Sequence, residues 1–567
     1  MKKLLLIVPF LCLSGTLAAQ NTCDLSAEKP LRVLSEELNR NFKILKKQKP
    51  PVYYLSYFFY DMYNMSVSVS EGGIRRKTQG PSYYVQVSAR AGSPQMDNTR
   101  TLKTKTPAGD KNFLENTLAS GNNEKVLKIT LWELTQRAAR SAQRNFSDVQ
   151  ADQQNASERA DNSDDFVFPP KENFCRTATF ADFDLDQIAA RLTDASSLTK
   201  GHAFVLESDF SFSASYGHRY FADSRGTLLK TPTNLVRMSY SLTAENKDGQ
   251  ILNRSKSYDV QTPEELPTDE QLRNDIKQSI AELQALLQAP EAEPITVPAI
   301  LKNKAMAVFV HEVLGHRMEG HRQKQDSFGR TFTDKIGQAV VSPVLTIVDD
   351  ATLPSFNNIP LRGYYEYDSE GVKVRPVTLI EKGVLKEFLM SSSPIKNFPL
   401  SNGHGRATLG KRPVARMGNT RVIADPVVSY DTLEKMLLAE IQTQQKPYGI
   451  IIEDLSGGFT QTSTYSPQAF KLEPTLVYRL YPDGRKEMIR GADMVGTPLV
   501  SFNAVIAAAD DYDVFNGSCG AESGWVPVSS IAPSVLLKSL EIEKTTKSMH
   551  KPPVLVPPFA ADKGDLK

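Results

Sequence analysis

Residues 310–321 read Val310-His311-Glu312-Val313-Leu314-Gly315-His316-Arg317-Met318-Glu319-Gly320-His321, and this stretch decides how the second half of the chain is read. Three of the seven histidines fall within it. Two neutral imidazoles beside a carboxylate are the usual elements of a hydrolytic zinc site, in which histidine nitrogens hold the metal and a non-ligand glutamate handles protons. The spacing is unusual. Histidines four apart share a helix face, whereas five residues at about 100° each set His311 and His316 roughly 140° apart. A π turn, bonded from i to i+5, restores the alignment, and such turns often occur at functional sites. Gly315 loosens the backbone there, so a π-bulge or helix break is predicted between Glu312 and His316. Taken alone, the motif favours a charged surface helix with incidental histidines.

Beyond this short helix, strand-like runs predominate, separated by turns such as Glu381-Lys382-Gly383, Gly457-Gly458 and Asp483-Gly484. The exception is Asp431 to Gln442, where Leu433, Leu437 and Ile441 form one apolar face. Before the histidines, Ala289-Pro290-Glu291-Ala292-Glu293-Pro294 marks a domain boundary near residue 295. It follows a helix whose Thr268 and Gln271 have capping-box spacing and whose stripe is Leu272, Ile276, Ile280, Leu283 and Leu287. Strands are expected from Val52 to about Tyr84, around an Glu71-Gly72-Gly73 turn, and again between His202 and Val260. Glu124 to Arg144 has helical periodicity, and the polar residues 147–165 that follow read as a solvated helix extension or a linker. The fold class is therefore α+β: an N-terminal domain of sheet and long helices over 20–295, and a mostly-β domain over 296–547 that carries the histidine helix. Residues 548–567, rich in Pro and Lys, read as a flexible tail.

A formal net charge of +2 over 567 residues provides no global field for nucleic acid or a membrane surface. Lys2 and Lys3, the apolar run Leu4 to Leu13 and the small residues Ala18 and Ala19 read as a signal peptide over 1–19, which makes the expected location periplasmic or extracellular. No later segment is apolar enough for a transmembrane anchor. Three cysteines then remain, an odd number for an oxidising compartment. A Cys23–Cys175 disulfide is expected, with Cys519, in the turn-like Asn516-Gly517-Ser518-Cys519-Gly520, kept free for another use.

Catalytic zinc normally has three protein ligands and an open water position, so His311 and His316 need a third. Cys519 is the first choice because a soft thiolate suits zinc; Glu319 and His321 compete, as ligands or as groups that orient an imidazole. Glu312 is the expected proton acceptor. His404 and Arg406, in Asn402-Gly403-His404-Gly405-Arg406, are candidates for oxyanion help, and a structural glycine loop is the other reading. The segment Gly457-Gly458-Phe459-Thr460-Gln461-Thr462 is either a strand that pairs with an extended peptide or an internal sheet strand.

The stretch HEVLGHRMEGHR resembles the H-E-x-x-x-H signature of the TldD/PmbA metallopeptidases. The resemblance continues through TIVDDATLP, EGVKVRPVTLIEKGVLKEFL, NGHGRATLG, PVARMGNT and SGG to CGAESGWVPVSSIAPSVLL, roughly Met306 to Ile542. It implies a two-domain peptidase with an α/β first domain containing a curved antiparallel sheet. One zinc ion per chain would be held by His311, His316 and Cys519, with Glu312 catalytic. It further implies flexible or unfolded peptides as substrates, and either a homodimer or a heterodimer with a related chain lacking the signature. His321 departs from the family pattern, where an acidic residue is expected. Two rival functions remain: a non-catalytic binding or partner subunit with a structural metal, and a hydrolase of non-peptide amides.

Overall fold

The Glu71-Gly72-Gly73 turn reverses β1 (Val52–Ser70) into β2 (Gly73–Ala91), with Gly72 at φ 78°, where a side chain would be strained. In the computed structural model, which describes residues 23–102, 113–118, 121, 123–155, 161–324, 331–460 and 469–545, this hairpin is the centre of a large sheet. The sheet is completed by β3 (Phe113–Leu118), β4 (Asn173–Cys175), β5 (Val205–Asp223), β6 (Leu228–Glu245) and β7 (Ile251–Val260), in the order β3-β2-β1-β5-β6-β4 with β7 also on β6. Every pairing is antiparallel except β4 with β6.

Period-two alternation decides what covers it. Leu55, Tyr57 and Phe59, then Met65, Val67 and Val69, point to one face of β1, and all are buried under helices. At one end these are α1 (Lys29–Leu45) and α2 (Glu124–Asn155), and at the other α3 (Leu185–Ser196) and α4 (Asp269–Gln288). Phe58 faces the opposite way and packs with Phe221 and with Tyr367 of the C-terminal half, so the sheet is covered on both sides here. The α4 capping box forms in full, Thr268 and Gln271 satisfying each other's backbone N–H groups. The polar stretch after Arg144 continues α2 as far as Asn155. Cys23 and Cys175 are joined as a disulfide that ties the start of the described chain to β4. The expected signal peptide over 1–19 and tail over 548–567 lie outside the described residues. Among the described residues no helix is long and apolar enough to cross a membrane.

The chain enters the C-terminal half through β8 (Ile295–Leu301), which runs straight into α5 (Asn303–Phe309). β8 lies between Gly449–Thr460, parallel to it, and Val535–Lys544, antiparallel. Ala492–Gly496 and Phe470–Leu480 follow, and the pairing of Phe470–Leu480 with Gly449–Thr460 closes these strands into a ring. A second, six-stranded sheet runs in the order Val384–Leu385, Val377–Glu381, Leu345–Asp349, Asn419–Ala424, Gly524–Ala532, Asp513–Ala521. The predicted helix spans Tyr430–Thr443, with Leu433, Leu437 and Ile441 buried. α5 is wedged between the two sheets, and all of its residues from Ala305 to Phe309 are buried.

Where the halves meet, Arg237 donates to the Asn516 carbonyl at 2.8 Å and pairs with Asp259, which also holds Arg362. The base of strand Asp513–Ala521 is thereby anchored on the N-terminal sheet. Towards the other end of that sheet, Arg90 lies against Phe166 and Glu370. Glu370 and Asp368 are buried carboxylates flanking Gly405, where a Cβ would meet Glu370 Oε2 at 2.3 Å and Asp368 Oδ2 at 3.1 Å. Burial and the neighbouring Glu370 push Asp368 up to about 8. The folded state thus holds a proton that the unfolded chain releases near pH 4, and this contribution to stability is full below that range and lost as pH rises through about 8. Asp368→Asn is therefore expected to flatten the fall in denaturant-unfolding stability between about pH 4 and 8; parallel wild-type and variant profiles would contradict the assignment.

Candidate metal centre

The backbone between the histidines is irregular. α5 ends at Phe309, Val310–Leu314 form a π turn, and Gly315–Met318 form a 3-10 turn. The wider turn offsets the five-residue spacing, and the rings of His311 and His316 stand 5.4 Å apart at 77°. Gly315 plays a different part from the one its flexibility suggested. Its φ of −54° and ψ of −48° are ordinary helical values, but a Cβ there would lie 2.0 Å from Met417 Sδ. The glycine makes room for the core rather than loosening the chain.

Cys519 is brought to the histidines by strand Asp513–Ala521, where it pairs with Val526, and the expected turn at Asn516–Gly520 is replaced by this strand. The hairpin reverses after Ala521 instead. Cys519 Sγ lies 3.3 Å from His316 Nε2, and donor atoms of His311, His316 and Cys519 lie within 4.8 Å of one another, all three residues buried. Burial alone would raise the Cys519 thiol, but His311 and His316 outweigh it and hold the group well below the usual thiol range. Reciprocally, burial would lower His316, yet Glu319 and Cys519 hold it up at about 10. Among the described residues, His311 Nδ1 is buried without a hydrogen-bond partner. Two imidazoles and a thiolate held together by protons are a donor set suited to a divalent ion that would displace those protons.

Glu312, partly buried, stands beside this cluster with its carboxyl raised by burial against the opposing pull of His311 and His316. Glu319 is fully buried on the other side of His316. Its Oε1 lies 3.1 Å from His316 Nδ1, Arg322 Nε donates to its Oε2 at 2.7 Å, and Arg416 Nε lies 3.3 Å from Oε1. These partners occupy the carboxylate as a group that orients His316. His321 Nε2 is 2.5 Å from Glu522 Oε1, and Glu522 also accepts from Arg322 at 3.0 Å. His321 thus faces the hairpin turn.

Two candidates for oxyanion help are corrected. His404 is fully buried, its Nε2 3.2 Å from Asp349 and its Nδ1 2.9 Å from Asn402 Oδ1, so both nitrogens are committed to the scaffold. Arg406 donates to the carbonyls of Met417 and Pro527 and lies over the Tyr365 ring at 4.6 Å. Gly457 and Gly458 lie on strand Gly449–Thr460, which packs beside the π turn. Gly458 pairs with Leu472, so this is a sheet strand, and a Cβ on Gly458 would meet Leu472 Cδ2 at 1.9 Å. The two guanidiniums of Arg322 and Arg416 and the carboxylate of Glu522 were not singled out in the sequence; only their charge in an otherwise buried setting marks them, and burial is not visible there.

Residues 294–544 match the family described as the PmbA/TldA metallopeptidase C-terminal domain. The C-terminal domain of this chain belongs to the TldD/PmbA family. Within the matched residues lie all three donors and Glu312. A metalloprotease of Methanocaldococcus jannaschii is 28% identical over 43% of this chain and 50% of the relative. A zinc metalloprotease TldD homolog of Saccharolobus solfataricus is 26% identical over 47% of this chain and 57% of the relative. The chain spans about half the length of the curated relatives it matches. The crystal structure of TldE from Thermococcus kodakarensis superposes with a TM-score of 0.59 at 14% identity, covering 90% of this chain and all of that one, which establishes a shared fold. The TldD/PmbA match corrects one expectation. The TldD homologs support a metalloprotease family, but neither they nor the TldE structure supports a signal peptide, secretion or a periplasmic location, and that reading is set aside.

Proposed function

We propose that this chain is a zinc-dependent peptidase in which His311, His316 and Cys519 hold one zinc ion and Glu312 is the general base. The observation that carries it is the convergence of three soft or borderline donors within 4.8 Å, with a carboxylate adjacent that is not one of them. When bound, zinc would lower the pKa of a water and polarise a carbonyl. Glu312 would be the group that accepts a proton from the attacking water and returns it to the leaving amine, and its carboxyl, raised by burial, suits it to both roles. Glu319, ionised between Arg322 and Arg416, holds the Nδ1 proton of His316 and leaves Nε2 free to face the metal. That engagement argues against Glu319 as a fourth ligand, and a three-ligand site with an open position is a hydrolytic site.

The substrate reading follows from strand Gly449–Thr460. It pairs with β8 only at Ile450–Ile452, so from Glu453 onward its second edge carries no strand among the described residues, beside the π turn. An extended peptide that adds to this edge would be chosen by main chain more than by side chain, which favours flexible or unfolded peptides over folded proteins. The TldE likeness supports pairing with a related chain, as a heterodimer or a homodimer. The experiment is cleavage of an unstructured oligopeptide by the purified protein before and after chelation. Activity lost to the chelator and restored by stoichiometric zinc is expected; cleavage that survives complete metal removal would reject the reading.

A further inference from the structure

We propose that Arg416 is a positioning residue that couples the two arms of the metal site, setting where Cys519 stands relative to His316. The inference rests on the zinc reading above. The donors come from two pieces of the chain distant in sequence, the irregular turn after α5 and the hairpin of strands Asp513–Ala521 and Gly524–Ala532, and neither piece alone fixes the distance between them.

Arg416 lies between the two and is fully buried. Its Nη2 donates to the carbonyl of Cys519 itself at 2.7 Å, and its Nη1 donates to Ser523 Oγ at 2.8 Å and the Gly524 carbonyl at 3.1 Å, in the turn of the same hairpin. Its Nε stands 3.3 Å from Glu319 Oε1, the oxygen that faces His316 Nδ1 at 3.1 Å. One rigid guanidinium therefore touches the backbone of the thiolate donor and the carboxylate that orients the imidazole donor. The Arg416 backbone is itself held, its N–H donating to the His404 carbonyl at 2.9 Å. That gives buried His404 a place in the chain of support, one step further from the metal. A second link runs alongside, from Glu319 through Arg322 to Glu522, three residues past Cys519. A planar fork can reach these four partners at once, whereas the ammonium of lysine is a single point.

The alternative is that Arg416 only stabilises the hairpin. The two roles separate in a double-mutant cycle read as zinc affinity, measured by competition with a chelator and accompanied by thermal midpoints. Arg416→Lys, which keeps the charge and loses the fork, is expected to raise the zinc dissociation constant by about 10–100-fold, the usual loss when a group behind a ligand is removed. Glu319→Gln is expected to do the same, and the double variant to lose little more than either one, because both act through one oxygen. Affinity unchanged in a folded Arg416→Lys protein, or losses that multiply in the double variant, would overturn the coupling. Should Arg416→Lys fail to fold, Ser523→Ala removes one anchor of the fork without altering charge; a roughly two- to tenfold weaker affinity is expected from one lost hydrogen bond, and an unchanged value overturns the proposal. A wild-type protein that binds no zinc would instead reject the metal reading.

Discussion

Glu312→Gln is expected to retain zinc at the wild-type stoichiometry and to lose peptide hydrolysis by about 100- to 10,000-fold, the range that a positioned general base supplies. The substitution preserves shape and hydrogen-bonding capacity and removes only the ability to take a proton. Glu312 lies in the π turn between the two histidines in sequence, is partly buried, and is not among the three donors that cluster within 4.8 Å. A residue that merely supported the turn would show its loss in thermal stability rather than in turnover, so the midpoint of unfolding is measured alongside. Equal turnover by the variant and the wild type would leave the reaction without its base.

Cys519→Ala is expected to lose zinc altogether under conditions in which Glu312→Gln keeps it. Two neutral imidazoles remain after the substitution, one short of the three protein ligands that catalytic zinc sites use. The loss should exceed the 10–100-fold expected from Arg416→Lys, since it removes a ligand and not a group that holds one in place. The fold should tolerate the change better than most core truncations because Cys519 is small and lies on a hairpin whose ladder runs unbroken from Asp513↔Ala532 to Ala521↔Gly524. Metal content by mass spectrometry of the intact protein checks it, and full occupancy in Cys519→Ala would remove the thiolate from the site.

Much of this site was legible because local geometry is written in spacing. Histidines five apart cannot share a face of a regular helix, and the backbone answers with a π turn over Val310–Leu314. The capping box at Thr268 and the Glu71-Gly72-Gly73 reversal were legible for the same reason, each being decided within four residues. Helix α1 carried its own stripe in Leu31, Leu34 and Leu38 after Pro30 and passed unread. Other features had no local signature. Gly315 looked like a flexible point and proved to be a contact with Met417, about a hundred residues away in sequence. His404, read either as oxyanion help or as part of a structural glycine loop, has both of its nitrogens fixed by Asp349 and Asn402, and Asp349 lies 55 residues away. Arg416 meets Cys519 across 103 residues. Charge alone marks such residues in a sequence, while their burial and their partners follow from how the two sheets close around α5.

X-ray absorption at the zinc edge of the purified, zinc-loaded protein tests the arrangement at its centre. One sulfur at about 2.3 Å with two imidazole nitrogens and a further light atom at about 2.0–2.1 Å is expected, and the sulfur should vanish in Cys519→Ser. A shell without sulfur, or one filled by four protein ligands with no position left for water, would contradict the account.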